Sequence, residues 1–151
     1  MKKKIKTLMP WILTLFAAAM GIAAFFLIFA PSVAYDYMIL GNTSFSGLNV
    51  SLGYTLNKSS VVFYASAGMI LAYLFPLLGA AVAVIGKDSL IARGIAALLL
   101  LAGGALSFAA TSLVQANFIG VPSLALGSIF SGVTALLGGI AEGATCVLFR
   151  K

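Results

Sequence analysis

Residues 94–141 read GIAALLLLAGGALSFAATSLVQANFIGVPSLALGSIFSGVTALLGGIA and contain no charged side chain. A helix needs about 20 apolar residues to cross a bilayer, and this stretch is more than twice that length. Polar and helix-breaking residues interrupt it near the middle: Gln115, Asn117, Gly120, Pro122 and Ser123. Because proline is well placed at the first position of a helix, we predict one span at 94–114 and another starting at Pro122, over 122–141 or slightly beyond.

Two further uncharged stretches lie nearer the amino terminus, and each can hold one crossing, at about 8–30 and 61–85. Of the 151 residues, 62% are hydrophobic and 8% are charged, against roughly 25% charged in a soluble domain. So few ionised side chains cannot cover a soluble surface. We therefore predict an all-α membrane protein, a bundle of four transmembrane helices in one domain, with an outer loop at 31–60.

Basic residues gather on one side of this topology. They are Lys2, Lys3, Lys4, Lys6, Lys87, Arg93, Arg150 and Lys151. The positive-inside rule places them, and so both termini, on the cytoplasmic side of a cell membrane. We therefore attribute the net charge of +6 to membrane orientation and to attraction of anionic lipid headgroups, not to nucleic-acid binding.

The first span also has features of a secretory signal peptide. A basic segment precedes it, and Ser32-Val33-Ala34 supplies small residues where a signal peptidase cuts. Its apolar core is longer than the usual 7–15 residues or so. An uncleaved first span and a cleaved signal, which would leave three spans, both stay open.

The outer loop carries a strand pattern. From 48 to 57 apolar and polar residues alternate, which is typical of a half-buried strand. We predict an antiparallel β-hairpin with strands at Tyr35–Leu40 and Leu48–Leu56 and a turn at Gly41-Asn42. Its apolar face packs on the helix ends or on a partner protein. That face consists of Leu48, Val50, Leu52, Tyr54 and Leu56.

Three glycosylation sequons lie in the same loop, at Asn42, Asn49 and Asn57. They are candidate sites in a secretory-pathway protein. The lysine-rich start and the short loops favour a bacterial protein, in which such triplets arise by chance.

Glu142 is the acidic residue closest to a predicted span. A carboxylate inside a bilayer is costly and suggests ion or proton coupling. The other interpretation places it at the cytoplasmic boundary, because 122–141 is already long enough to cross. There it would snorkel or pair with Lys87 or Arg93.

Small residues in the last two spans are candidates for close helix packing, within one bundle or between two copies. They are Gly103, Gly104, Ser128, Gly132, Gly139 and Gly143. Pro76 falls midway along the second span and is expected to kink that helix.

Several kinds of chemistry are excluded. The chain has no histidine, which rules out histidine acid–base catalysis and histidine metal ligands. Its three carboxylates, Asp36, Asp88 and Glu142, lie on separate segments, so no paired-carboxylate site is expected. No phosphate-binding or dinucleotide-binding glycine motif occurs. We expect no enzyme activity, no cofactor and no metal.

The layout resembles two groups of proteins: small four-span bacterial membrane proteins of uncharacterised function, and the claudin-like tetraspan proteins. The latter have a long first outer loop with strands, a short second outer loop and cytoplasmic ends. Their loop signature contains Gly-Leu-Trp and two cysteines. Here Gly47-Leu48 is followed by Asn49, and the loop has neither tryptophan nor cysteine. The resemblance therefore implies an architecture and no binding residues.

Three functions follow as hypotheses. The first is a non-enzymatic protein that acts through contacts, as an accessory or scaffold subunit or as a surface tetraspan. The second is a small transporter or channel component that uses Glu142. The third is a membrane immunity or stress protein. The expected partners are the lipid bilayer and a membrane protein or a second copy of the chain. The polar residues available to line a path are Glu142, Tyr64, Tyr73, Ser107, Thr111 and Thr134.

Overall fold

The computed structural model describes residues 2–37, 41–56 and 60–149. Within these residues, four helices are long and apolar enough to cross a membrane, which confirms the predicted number. Their candidate spans are Leu8–Phe29, Ala67–Ile85, Leu90–Phe108 and Leu126–Leu148.

The elements follow one another in a simple order. The long helices are α1 (Lys2–Phe26, continued by a 3₁₀ turn at Leu27–Phe29), α3 (Ala67–Ile85), α4 (Leu90–Phe108) and α6 (Leu126–Phe149). Two short helices are α2 (Gly47–Leu52) and α5 (Ala110–Leu113). The strands are β1 (Pro31–Tyr37), β2 (Gly41–Ser46), β3 (Tyr54–Leu56), β4 (Ser60–Tyr64), β5 (Gln115–Ala116) and β6 (Val121–Leu124).

Serine caps set where two of the long helices begin. The Ser66 hydroxyl accepts a hydrogen bond from the Met69 N–H, and Ser89 accepts one from Ala92. Such caps satisfy backbone donors that the first turn leaves without partners. The predicted start of the second span at Val61 is therefore wrong, because 60–64 forms β4. The predicted third span also ends too late, since α4 stops at Phe108 and 110–113 forms α5.

The fourth span also begins later than predicted. Pro122 lies in β6 and pairs with Tyr35 of β1, while α6 begins at Leu126. β6 is an edge strand, where a missing N–H costs no ladder hydrogen bond. α6 then continues through Glu142 to Phe149, further than the predicted end at Ala141 or slightly beyond.

The helices pack closely because glycines sit at their crossings. A Cβ on Gly103 of α4 would overlap the Pro76 ring of α3. One on Gly139 of α6 would lie 2.7 Å from the Leu101 side chain. These contacts are too close for a side chain, so the backbones approach each other only because the glycines have none.

The strands and short helices form one assembly at one end of the bundle, which we call the head. Its two antiparallel sheets have the strand orders β2-β1-β6 and β3-β4-β5. The segment between α4 and α6 supplies the last strand of each sheet, so it joins both sheets to the first outer loop. An aromatic cluster fills the space between them: Tyr35, Phe45, Phe63 and Phe118, with ring centroids 4.7 to 6.2 Å apart.

The predicted hairpin needs correction. The predicted pairing is wrong, because β1 pairs with β2 and β6, whereas β3, the strand within 48–56, pairs with β4. Gly41 and Asn42 belong to β2 rather than to a turn, and residues 38–40 of the predicted first strand lie outside the described residues. The predicted strand Leu48–Leu56 is wrong over its first half, because 47–52 is helical. The Ser46 side chain caps that helix, and Gly53 ends it with a positive φ of 90°, a conformation that favours glycine.

Candidate functional site

Arg93 and Glu142 meet at the end of the bundle opposite the head, which we call the basic end. There α1 begins, α3 turns into α4, and α6 ends. The side chains are 3% and 0% exposed, and Arg93 Nη1 lies 3.8 Å from Glu142 Oε1. The sequence offered Lys87 and Arg93 as partners for Glu142, and the structure places Arg93 beside it. The snorkelling interpretation is wrong, because Glu142 is buried among helices rather than extended to the surface.

Neighbouring groups complete this cluster. Arg93 Nη1 donates to Thr14 Oγ1 of α1 at 3.0 Å, and its Nε donates to the Lys87 carbonyl at 2.7 Å. The Thr145 hydroxyl donates to the backbone carbonyl of Glu142 at 2.6 Å. Arg93 thus ties α1, α6 and the turn between α3 and α4 together.

The carboxylate itself is less well satisfied. Neither Glu142 oxygen accepts a hydrogen bond from the residues that the structure describes. The nearest cationic atom, 3.8 Å away, lies beyond hydrogen-bond distance. The interaction with Arg93 is therefore mainly Coulombic, in a buried setting where such attraction is strong.

Lys87 lies next to this cluster but points elsewhere. Its ammonium sits 4.3 Å from the centre of the Trp11 ring on α1. Trp11 is 44% exposed and lies close to the start of the first candidate span. The pair is a cation–π contact at the rim of the basic end.

Other buried polar groups form separate clusters nearer the head. Ser131 of α6 donates to the Ala24 carbonyl of α1, and Ser107 donates to the Gly103 carbonyl within its own helix. Nearest the head, Tyr73 donates to Ser32 at 2.8 Å, and Ser32 shares a hydrogen bond with Ser128.

An apolar layer separates these clusters from Glu142. It contains Ala17 of α1, Leu100 of α4 and Ala141 of α6, with Leu13 packed beside them. Of the polar residues proposed to line a path, Tyr64 lies on β4 and is half exposed, and the Thr134 hydroxyl donates to the Phe130 carbonyl of its own helix. The described residues therefore do not connect their polar groups into one path.

The predicted small-residue positions lie mostly at contacts inside the bundle. A Cβ on Gly103, Gly104, Gly132 or Gly139 would meet Pro76, Leu136, Phe108 or Leu101 respectively, and Ser128 is buried against Ser32. Gly143 differs, since nothing lies within 4 Å of its Cβ position.

The predicted apolar face of the outer loop is not one surface. Val50 is fully buried in the head, whereas Leu52 and Leu56 are 62% and 49% exposed. Leu48 is 36% exposed, and Tyr54 packs near Phe45. The helical turn at 47–52 rotates alternate residues to different sides.

Ile119 is an exposed apolar residue that no sequence pattern predicted. It lies between β5 and β6 and is fully exposed, and Val121 beside it is 77% exposed. Its neighbours are fixed: the Phe118 ring packs 4.7 Å from Tyr35, and a Cβ on Gly120 would lie 3.0 Å from the Tyr35 ring. No alternation marks Ile119, so only its apolar character next to Phe118 could have signalled it.

No group of three metal-binding side chains occurs in the described part of the chain. Comparison of the chain with protein-family models, curated proteins and solved structures found no match.

Proposed function

We propose that this chain is a non-enzymatic membrane protein that crosses the cell membrane four times and acts through contacts made by its head. Four sufficiently apolar helices support the crossings. The orientation is supported by the basic end, where α1 begins and α6 ends. The sequence groups every basic residue except Lys58 in the segments that adjoin these helix ends or in and beside the turn between α3 and α4. Both termini are then cytoplasmic and the head faces outward.

The observation that carries the contact role is the presentation of Ile119. The aromatic cluster holds Phe118 inside the head, while Ile119 points fully outward. An exposed isoleucine on a mobile loop would be ordinary, but this one is held by packed neighbours. Val121 beside it is 77% exposed as well, and contiguous exposed apolar surface is typical of protein interaction sites.

The charge of the head limits the kind of surface that a partner can present. Asp36 is the only charged residue among the head residues that the structure describes. Opposite Ile119 and Val121 the complementary surface is therefore apolar, and a cationic group gains an ion pair only beside the exposed Asp36, which is the cross-strand partner of Val121. We propose a protein surface of this kind; a second copy of the chain is one that fits.

A photo-crosslinking amino acid at position 119 tests this role. In native membranes it should give one discrete adduct, and the same probe at Thr55, which is exposed on β3, should not. The adduct's mass distinguishes a second copy from another protein. Co-purification of the same partner should be lost in Ile119→Ser and kept in Ile119→Val. Equal adducts from both positions, or a partner retained by Ile119→Ser, would contradict the proposal.

Cysteine labelling tests the orientation. With Cys146 replaced by serine, a cysteine at Asn117 in the head should react with an impermeant maleimide in intact cells. A cysteine at Ser89, in the exposed turn before α4, should react only after permeabilisation. The opposite pattern would show that the head faces the cytoplasm. Labelling of both positions in intact cells would contradict their placement on opposite sides of the membrane.

A small transporter or channel component is the second candidate, because Glu142 is fully buried and its oxygens lack hydrogen bonds among the described residues. The adjacent Arg93 and the apolar layer weigh against it. Ion or proton flux into proteoliposomes that falls in Glu142→Gln, with insertion and helix content by circular dichroism both unchanged, would favour transport over the contact role.

A further inference from the structure

Trp11 and Lys87 together mark a position at the rim of the bundle. Trp11, the only tryptophan in the chain, lies near the start of the first candidate span and is 44% exposed. Tryptophan side chains favour the boundary between hydrocarbon and headgroups. With the ring at that depth, the Lys87 ammonium, 4.3 Å from its centre, lies at the level of lipid phosphates.

The two neighbouring cationic side chains, Arg93 and Lys87, differ in whether a carboxylate offsets their charge. Arg93 is buried beside Glu142, so its charge is already offset within the protein. No described carboxylate lies within ion-pair distance of Lys87, and the Trp11 ring has no net charge. Arg93 instead holds the Lys87 backbone by donating to its carbonyl. Lys87 is thus fixed in position with its charge unneutralised.

The surrounding charge points to the same ligand. Asp36 and Lys58 belong to the outer loop of the sequence and cancel in the formal charge, so the net charge of +6 comes from the other segments, which form or adjoin the basic end. A cationic end at a membrane surface attracts anionic lipids. An ammonium held on an aromatic face keeps N–H donors directed away from the ring, available to a phosphate oxygen.

We propose that Trp11 and Lys87 form a binding site for the phosphate headgroup of an anionic phospholipid. The proposal rests on membrane insertion, the first part of the proposed function, but not on the contact role of the head or on which side faces the cytoplasm. A basic side chain near an anionic surface favours binding by about fivefold, so loss of Lys87 should lower the lipid preference by that factor.

Quenching of Trp11 fluorescence by brominated lipids provides the test, since Trp11 is the only tryptophan. The full-length protein is reconstituted in vesicles that contain a small fraction of dibrominated phosphatidylglycerol or of dibrominated phosphatidylcholine. Each fluorescence value is normalised to the same variant with the unbrominated lipid of that headgroup. At low salt, phosphatidylglycerol should quench with a relative association constant at least about fivefold higher. High salt should reduce this preference.

Two variants locate the preference. Lys87→Gln should lower it about fivefold, whereas Lys58→Gln, which removes the same charge from the outer loop, should leave it unchanged. Circular dichroism establishes that both variants keep their helices. Inorganic phosphate added at constant ionic strength should not displace the lipid; displacement would reassign the site to soluble phosphate and overturn the lipid proposal.

Three further outcomes would refute the proposal. Equal quenching by the two lipids would exclude anionic selectivity at Trp11. A preference that survives Lys87→Gln would remove Lys87 from the site. Absence of quenching by either lipid would place Trp11 outside the bilayer. That result would also contradict the membrane insertion on which the proposed function depends. The cross-linking result at position 119 is independent of the first two outcomes.

Discussion

Replacing Glu142 with glutamine should destabilise the protein strongly, although the side chain keeps almost the same shape. Arg93 is 3% exposed and would lose the counter-charge that the structure places beside it. Breaking one partner of a buried ion pair typically costs about 3–5 kcal/mol. The Thr14 and Lys87 hydrogen bonds to Arg93 remain, so we expect a value near the lower end, about 3 kcal/mol.

Removing both charges should cost far less. Buried ion pairs are often replaced by apolar residues of similar volume with little loss of stability. We expect the double variant Arg93→Met/Glu142→Met to unfold within about 1 kcal/mol of wild type. The single variants should each lose several times more. The coupling energy is the loss of the double variant minus the sum of the losses of Arg93→Met and Glu142→Met, and it measures the interaction between the two side chains.

The assay is reversible unfolding in mixed micelles, followed by circular dichroism. Asp88→Asn serves as the control, because Asp88 is exposed in the turn between α3 and α4. A surface change there should alter the unfolding free energy by no more than about 0.5 kcal/mol. A Glu142→Gln variant as stable as wild type would refute the reasoning. The reasoning would also be refuted if the double variant lost as much unfolding free energy as the two single variants together.

Two further changes test the packing and the buried hydrogen bonds with the same unfolding assay. Gly103→Leu places a side chain where Pro76 already lies and should cost at least about 1–3 kcal/mol, whereas Gly94→Leu, with nothing within 4 Å, should be tolerated; equal losses would contradict the close approach of α3 and α4 at Gly103. Tyr73→Phe removes the donor to Ser32 and should cost about 0.5–1.5 kcal/mol; no measurable loss would show that this hydrogen bond makes no net contribution.

The head shows where local pattern fails. Alternation over 48–57 predicted a strand, yet the Ser46 cap and the positive φ of Gly53 produce a short helix at 47–52. Both competing signals are short-range and of similar strength. Burial of Val50 in the head settles the choice, and that depends on strands distant in the sequence.

The candidate sites were predicted unevenly. The sequence identified Glu142 as unusual and Arg93 as one of two partners, but only the crossing of α4, α6 and α1 brings Arg93, Thr14 and Glu142 together. The exposure of Ile119 had no signal of its own. It follows from the packing of Phe118 against Tyr35.

The sequence alone determined the number of apolar helices and the grouping of charges at one end. These depend on local composition and on the length needed to cross hydrocarbon: three uncharged stretches occur, and the one at 94–141 is long enough for two crossings. The tertiary structure decided which helix faces meet, which apolar residues the head covers, and that Glu142 is buried rather than at the surface. Such outcomes depend on contacts between residues far apart in the chain, where an apolar side chain looks the same whether it faces lipid, the protein interior or a partner.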